Sequence, residues 1–309
     1  MQIFVKYLQE YYKQINFKSL LFTTLFVAIL IAINFTFKIE KRIYALHFPF
    51  SLISFIIFYS LVFAIAYWFQ FIDKSTLFIK EKKSFYFYFF VGIIAFSIKQ
   101  IHWQIPFLDF LSYPWNKYWM IVLQLPLKLL FIILTLFFLW KQNHNHKSFF
   151  GLTTKKFQPK PYLIILAVLI PFVAIAATQH DFLQTYPKVK NIFFLSQHTH
   201  PQWFWNFMYE ISYSLDFVSI EVFFRGFLVI GFLRFASVNS ILPMAAFYCT
   251  IHFGKPLAEC ISSYFGGIVL GVIAYRTKSI FGGLLVHLGL AWLMEFFGYA
   301  MPLVMNLQF

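Results

Sequence analysis

Apolar residues run along this chain in long blocks, neither alternating with polar ones nor confined to one helical stripe. Blocks at 20–37, 50–71, 85–101, 119–140, 162–177, 203–233, 240–252, 260–275 and 279–297 are rich in Phe, Ile, Leu, Val and Ala, and short polar or basic connections separate them. A helix that is apolar on every side belongs inside a membrane or a large core, because a water-facing helix keeps a polar face. Crossing about 30 Å of hydrocarbon takes about 20 residues at about 1.5 Å each, and several blocks reach that length. The pattern predicts an all-α polytopic transmembrane helix bundle of eight to nine spans. Blocks 162–177 and 240–252 are short, and 203–233 reads either as one tilted helix or as a broken pair.

Composition supports the bilayer: 61% of the 309 residues are hydrophobic, 23% aromatic and only 12% charged, too few charges for an ordinary soluble surface. The net charge of +14 would point to nucleic acid in a soluble protein. Here Lys and Arg cluster in the connections between apolar blocks, so the expected surroundings are lipid, with no nucleic-acid partner. With the N-terminus inside, fifteen cations fall in inner segments, Lys74, Lys80, Lys147 and Lys156 among them, and eight in outer ones, which favours a cytoplasmic N-terminus. The opening stretch lacks an A-x-A-like cleavage site and reads as an interfacial helix leading into a retained anchor. Cys249 and Cys260 read as small apolar packing residues, and no disulfide framework is implied. The bias toward Phe, with 46 residues, and toward Lys suggests an AT-rich bacterial genome and hence a bacterial inner membrane.

Residues 1–148 have almost no polar side chain within their spans and read as scaffold, whereas 149–309 place ionisable groups inside apolar helices. The pairs His144/His146 and His198/His200 read as loop and helix-start residues. No repeat of fixed period or inverted symmetry is visible, which gives no support to a transporter built from paired halves.

A charge at the bilayer centre costs about 2.5–3.5 kcal/mol, so such residues face a polar interior and have partners. Glu210, Asp216, Glu221 and Arg225 share one apolar stretch, with Glu221 and Arg225 four apart and the acid first, which puts both on one helical face. His252 and His287 lie in two further apolar helices. Counting from the inner connections places Glu221, His252 and His287 roughly 18, 18 and 12 Å deep, a common layer on three helices. Glu210, Asp216, Glu259 and Glu295 are shallower on the outer side. Glu295 is eight residues beyond His287 and suited to support it or to line the same cavity one layer outward, and Glu259 sits as a favourable acid at a positive helix end.

These motifs, in this order, resemble the CPBP family of intramembrane endopeptidases, which includes CAAX-processing and bacteriocin-associated members. That family carries Glu-Glu-x-x-x-Arg, then Phe-x-x-x-His, then His-x-x-x-Asn or Asp. The corresponding residues here are Ile220, Glu221 and Arg225, then Tyr248 and His252, then His287 and Ala291. Gly151-Leu152 and the Arg225-Gly226 step extend the similarity over about 149–297. The resemblance implies a helical membrane protease with Glu221, Arg225, His252 and His287 as its catalytic set and Asp216, Glu259 and Glu295 supporting it. Two positions depart from the family: Ile220 replaces the glutamate credited with activating water, and Ala291 replaces the amide or acid credited with helping to hold the oxyanion or the second histidine.

Under that reading the base is Glu221, or Asp216 one and a half turns earlier, with His252 and His287 as oxyanion donors and Arg225 paired with the acid. No cofactor is required. A divalent metal such as zinc held by Glu221, His252 and His287 is the alternative chemistry, although HExxH is absent. The expected partner is a peptide or membrane-protein substrate. A fold-mate that has lost hydrolysis and acts in binding, scaffolding or immunity, and a transporter using the acids as ion sites, are the competing functions. No serine-protease elbow and no Gly-x-Gly-Asp pattern is present.

Overall fold

In the computed structural model, which describes residues 2–71, 81–142, 148–155 and 157–305, every regular element is helical. The expected inner cations Lys74, Lys80, Lys147 and Lys156 and the pair His144/His146 lie outside the described residues. Among the described residues, five helices are long and apolar enough to cross a membrane: α2 (Phe17–Phe37), α4 (Phe50–Gln70), α6 (Trp115–Lys141), α12 (Leu257–Thr277) and α13 (Phe281–Val304). They coincide with five of the nine expected blocks. Of the others, α5 (Lys82–Gln100) carries lysines at both ends and α7 (Lys160–Ala176) is apolar but has only 17 residues. Block 203–233 is broken in register: α9 (Gln202–Glu221) passes directly into a π-helix, Val222–Gly231. Block 240–252 contains α11 (Ile241–Thr250), ten residues that are all buried. Ten residues rise about 15 Å, half the hydrocarbon thickness. The remaining short helices are α1 (Gln2–Gln14), α3 (Ile39–Tyr44), α8 (His180–Thr185) and α10 (Leu233–Ala236).

The chain divides into two compact units, with three of the five cuts falling inside α6, α9 and α13. The first holds Met1–Ile101, Leu134–Phe157 and Glu221–Gly283. Its centre is aromatic: Phe96 meets Phe223 at 4.6 Å and Phe224 at 5.1 Å between ring centroids, and Tyr59 meets Phe247 at 4.8 Å. Tilted and edge-to-face pairs of this kind contribute about 0.5–1.5 kcal/mol each beyond burial. That matters in lipid, where packing takes over from the hydrophobic effect between helices. α11 is apolar on all sides because α2, α4, α12 and the π-helix surround it. Cys249 and Cys260 belong to this core, their sulfurs 4.0 Å apart and both thiols free, in keeping with a packing role.

The second unit holds His102–Ile133, Gln158–Ile220 and Leu284–Phe309. One of its cores gathers Tyr118, Val122, Val189, Ile192, Leu195 and Tyr209, around which Trp115, Trp119 and Trp205 pack. A second core, Val173, Ala177, Phe182 and Tyr186, is covered by Leu290 and Phe297 of α13.

Candidate functional site

Glu221 closes α9 and Arg225 lies in the first turn of the π-helix, and both side chains are wholly inaccessible to solvent. Arg225 Nη1 stands 3.2 Å from Glu221 Oε1, the pairing expected from their spacing. A buried ion pair recovers its desolvation cost only with good geometry and further polar or polarisable contacts. One such contact is the Tyr248 ring of α11, whose centroid lies 4.0 Å from the guanidinium carbon. The π-helix winds more widely than an α-helix, and π segments recur at functional sites because they re-aim side chains.

Three glycines permit this packing. A Cβ on Gly226 would lie 2.6 Å from the Phe150 carbonyl oxygen, so the residue after Arg225 must lack a side chain for the Phe150–Gly151 turn to seat. Gly151 adopts φ +82°, the left-handed region that glycine tolerates, and its carbonyl accepts a 3.1 Å hydrogen bond from the Ile280 N–H. Gly283, the third residue of α13, lies directly under the Glu221 carboxylate: a Cβ there would collide with Oε2 and sit 3.3 Å from Cδ. The acid is thereby placed at the positive end of a helix. Ser279 fixes that end, its hydroxyl donating to the Thr153 carbonyl at 2.6 Å and accepting from the Phe281 N–H at 3.3 Å.

His252 follows α11 in a turn and is half-buried. Its Nδ1 lies 3.1 Å from the Tyr248 carbonyl oxygen, which can only accept, so Nδ1 is assigned the proton. The imidazole also packs on the Tyr248 ring at 4.7 Å. Tyr248 thus touches both Arg225 and His252, and Glu221, Arg225, Tyr248 and His252 form one connected set within the first unit.

His287 belongs to the second unit, where its ring packs edge-on against Phe217 at 4.8 Å. Ile220 and Ala291 are buried in that unit as well. Asp216 accepts from the Ser219 hydroxyl at 3.1 Å. Glu295 engages backbone far away in the chain. Its two oxygens accept from the backbone N–H groups of Lys188 at 2.7 Å and Val189 at 3.3 Å, where the carboxylate caps a 3₁₀ segment, Lys188–Gln197. Glu259 stands in the first turn of α12 and 4.0 Å from Lys255, the helix-end position expected for it. Among the described residues, no three His, Cys, Asp or Glu side chains are arranged to hold a metal ion. Gly283 escaped the sequence reading: the Gly282-Gly283 doublet opening an apolar helix was its only trace.

This connected set falls inside a stretch that a family comparison recovers independently. Residues 201–293 match the family model described as type II CAAX prenyl endopeptidase Rce1-like. This segment is Rce1-like. The assignment agrees with the CPBP resemblance of the three ordered motifs, and the Rce1-like segment includes Glu221, Arg225, Tyr248, His252 and His287 while covering under a third of the chain. No curated protein and no solved structure matched the chain.

Proposed function

We propose that the protein is an intramembrane endopeptidase of CPBP type, hydrolysing a peptide bond of a peptide or membrane-protein substrate. Residues 149–309 form its catalytic part and 1–148 its scaffold, in a bundle of eight to nine spans with a cytoplasmic N-terminus in a bacterial inner membrane. The observation that carries the reading is the wholly buried Glu221–Arg225 pair, inside the Rce1-like segment and seated against Gly283. Two buried charges left in an apolar helix need a reason, and hydrolysis supplies one.

In this mechanism water admitted with the substrate reaches the Glu221 carboxylate, which the fold otherwise closes to solvent; Glu221 takes a proton from that water, and the resulting hydroxide attacks the scissile carbonyl carbon. The doubly protonated form of His252, whose Nδ1 donates to the Tyr248 carbonyl, donates from Nε2 to the oxyanion, and the proton held by Glu221 passes to the leaving amine as the C–N bond breaks. Arg225 and Gly283 position the base. Asp216, Glu259 and Glu295 are supporting residues that hold helix ends and turns. A second reading has one specific observation in its favour. Ile220 and Ala291 are buried apolar residues where the family has an acid and an amide or acid, which suits a fold-mate retained for binding or immunity.

The test is a peptide library offered to the purified full chain, comparing wild type with Glu221→Gln and His252→Ala. Loss of product in both variants supports hydrolysis at this site. Equal product from all three, or none from the wild type, favours the second reading.

A further inference from the structure

The α2–α3 corner carries a basic cleft that the proposed chemistry does not use. It is open, encloses about 490 Å³, and is lined by Thr36, Phe37, Lys38, Lys41, Arg42 and Ala45. The backbone explains why three cations share one face. α2 ends at Phe37, and Lys38 turns the chain with φ 54° and ψ 45°. The hydrogen bonds from Arg42 N to Lys38 O (3.0 Å) and from Ala45 N to Lys41 O (3.1 Å) then stack positions 38, 41, 42 and 45 at helical spacing. The opposite face is spent on packing. Ile43 is buried, and the segment's acid, Glu40, turns its carboxyl onto Gly254, where a Cβ would come within 2.6 Å of it. Asn34 fastens that side, donating to the Phe253 carbonyl and accepting from the Glu40 N–H, each at 3.0 Å. The only acid of the corner is therefore withdrawn from its three cations, and among the described residues no carboxylate forms an ion pair with Lys38, Lys41 or Arg42.

The position of the cleft selects its ligand. It opens where a helix of spanning length ends, Phe37 lines it, and its segment is flanked in the chain by exposed apolar side chains: Ile33 on α2, and Leu46, Phe48 and Phe50 beyond α3. Cations beside exposed apolar surface at the end of a span match an anionic headgroup joined to acyl chains. A free phosphate would leave the apolar border unused. We propose that the cleft binds the phosphate-bearing headgroup of an anionic phospholipid, with Lys38, Lys41 and Arg42 contacting the phosphate and Phe37 the chain beneath it. The proposal does not depend on catalysis.

The experiment titrates the full chain in neutral detergent with phosphatidylglycerol or phosphatidylcholine and counts retained lipid by native mass spectrometry. The expected result is preferential retention of phosphatidylglycerol. That preference should fall about fivefold in Lys41→Gln and further in Lys38→Gln/Lys41→Gln/Arg42→Gln. It should be unchanged in the charge-matched control Lys6→Gln/Lys13→Gln/Lys18→Gln. Lys41 is exposed, so its single substitution reads the site even if the triple variant fails to fold. Equal retention of the two lipids, equal loss in the control, or displacement of the lipid by equimolar inorganic phosphate would each overturn the proposal.

Discussion

Replacing Gly283 by Ala tests whether the Glu221 carboxylate is held where the structure places it. The added methyl would collide with Oε2 and lie 3.3 Å from Cδ and 3.9 Å from Oε1. Ordinary carbon contacts lie at about 3.5–4.0 Å, so the carboxylate has to retreat by about 1 Å. It has little room, because Glu221 and Arg225 are wholly buried and already 3.2 Å apart. Forcing a methyl into such packing costs about 1–3 kcal/mol. Against this, Ala is favoured over Gly within a helix by about 0.8–1 kcal/mol. The clash prevails, and Gly283→Ala should lower stability by up to about 2 kcal/mol in equilibrium unfolding by SDS titration of mixed micelles. The informative comparison is the same substitution in a Glu221→Ala/Arg225→Leu background, which removes the acid without stranding a guanidinium. There the methyl meets no carboxylate, only the helix preference remains, and Gly283→Ala should stabilise by up to about 1 kcal/mol. A change of sign is the signature of contact. If the substitution has the same effect in both backgrounds to within about 0.5 kcal/mol, the two residues are uncoupled and the placement of the carboxylate is wrong.

Three further outcomes follow from the same geometry. Arg225→Met should destabilise the protein by about 3–5 kcal/mol, because it leaves a buried carboxylate without its cation, while Glu221→Ala/Arg225→Leu should cost less than Arg225→Met alone; denaturation midpoints decide. Burial raises the Glu40 carboxyl above the usual carboxylate range, with Lys255 pulling it back down. The folded chain therefore keeps that proton to higher pH than the unfolded chain, and stability should fall as pH rises from the ordinary carboxylate range through the raised value and then level off; Glu40→Gln should remove this slope. Elemental analysis of the gently purified protein should find metal well below one equivalent, and stoichiometric zinc lost in both Glu221→Gln and His252→Ala would instead establish a metal site.

The parts of the molecule that were legible in the sequence are those set by local spacing and length. Full-length spans such as α4 and α12 follow from unbroken apolar runs, and the contact of Glu221 with Arg225 follows from a separation of four residues. What escaped the reading depends on partners far away in the chain. Sequence position suits Glu295 to support His287 or to line the same cavity, and the bonds its carboxylate makes, to backbone 107 and 106 residues away, are ones for which periodicity carries no signal. The π-helix was hidden because ten apolar residues show no polar face whose drift would betray a wider turn. Gly283 was overlooked because its value lies in the atom that approaches it. At Ile220 and Ala291 the sequence and the family pattern disagree, and structure alone does not turn an isoleucine into an acid.

The four-residue separation of Glu221 and Arg225 also has a consequence for biosynthesis. Partners drawn from distant helices would enter the membrane one at a time, each as a bare charge costing about 2.5–3.5 kcal/mol at mid-depth, and would wait for the rest of the chain. A pair carried on one continuous helical stretch forms as soon as that stretch coils. The insertion machinery therefore receives a segment in which these two charges already neutralise each other, so their membrane integration need not await the tertiary fold.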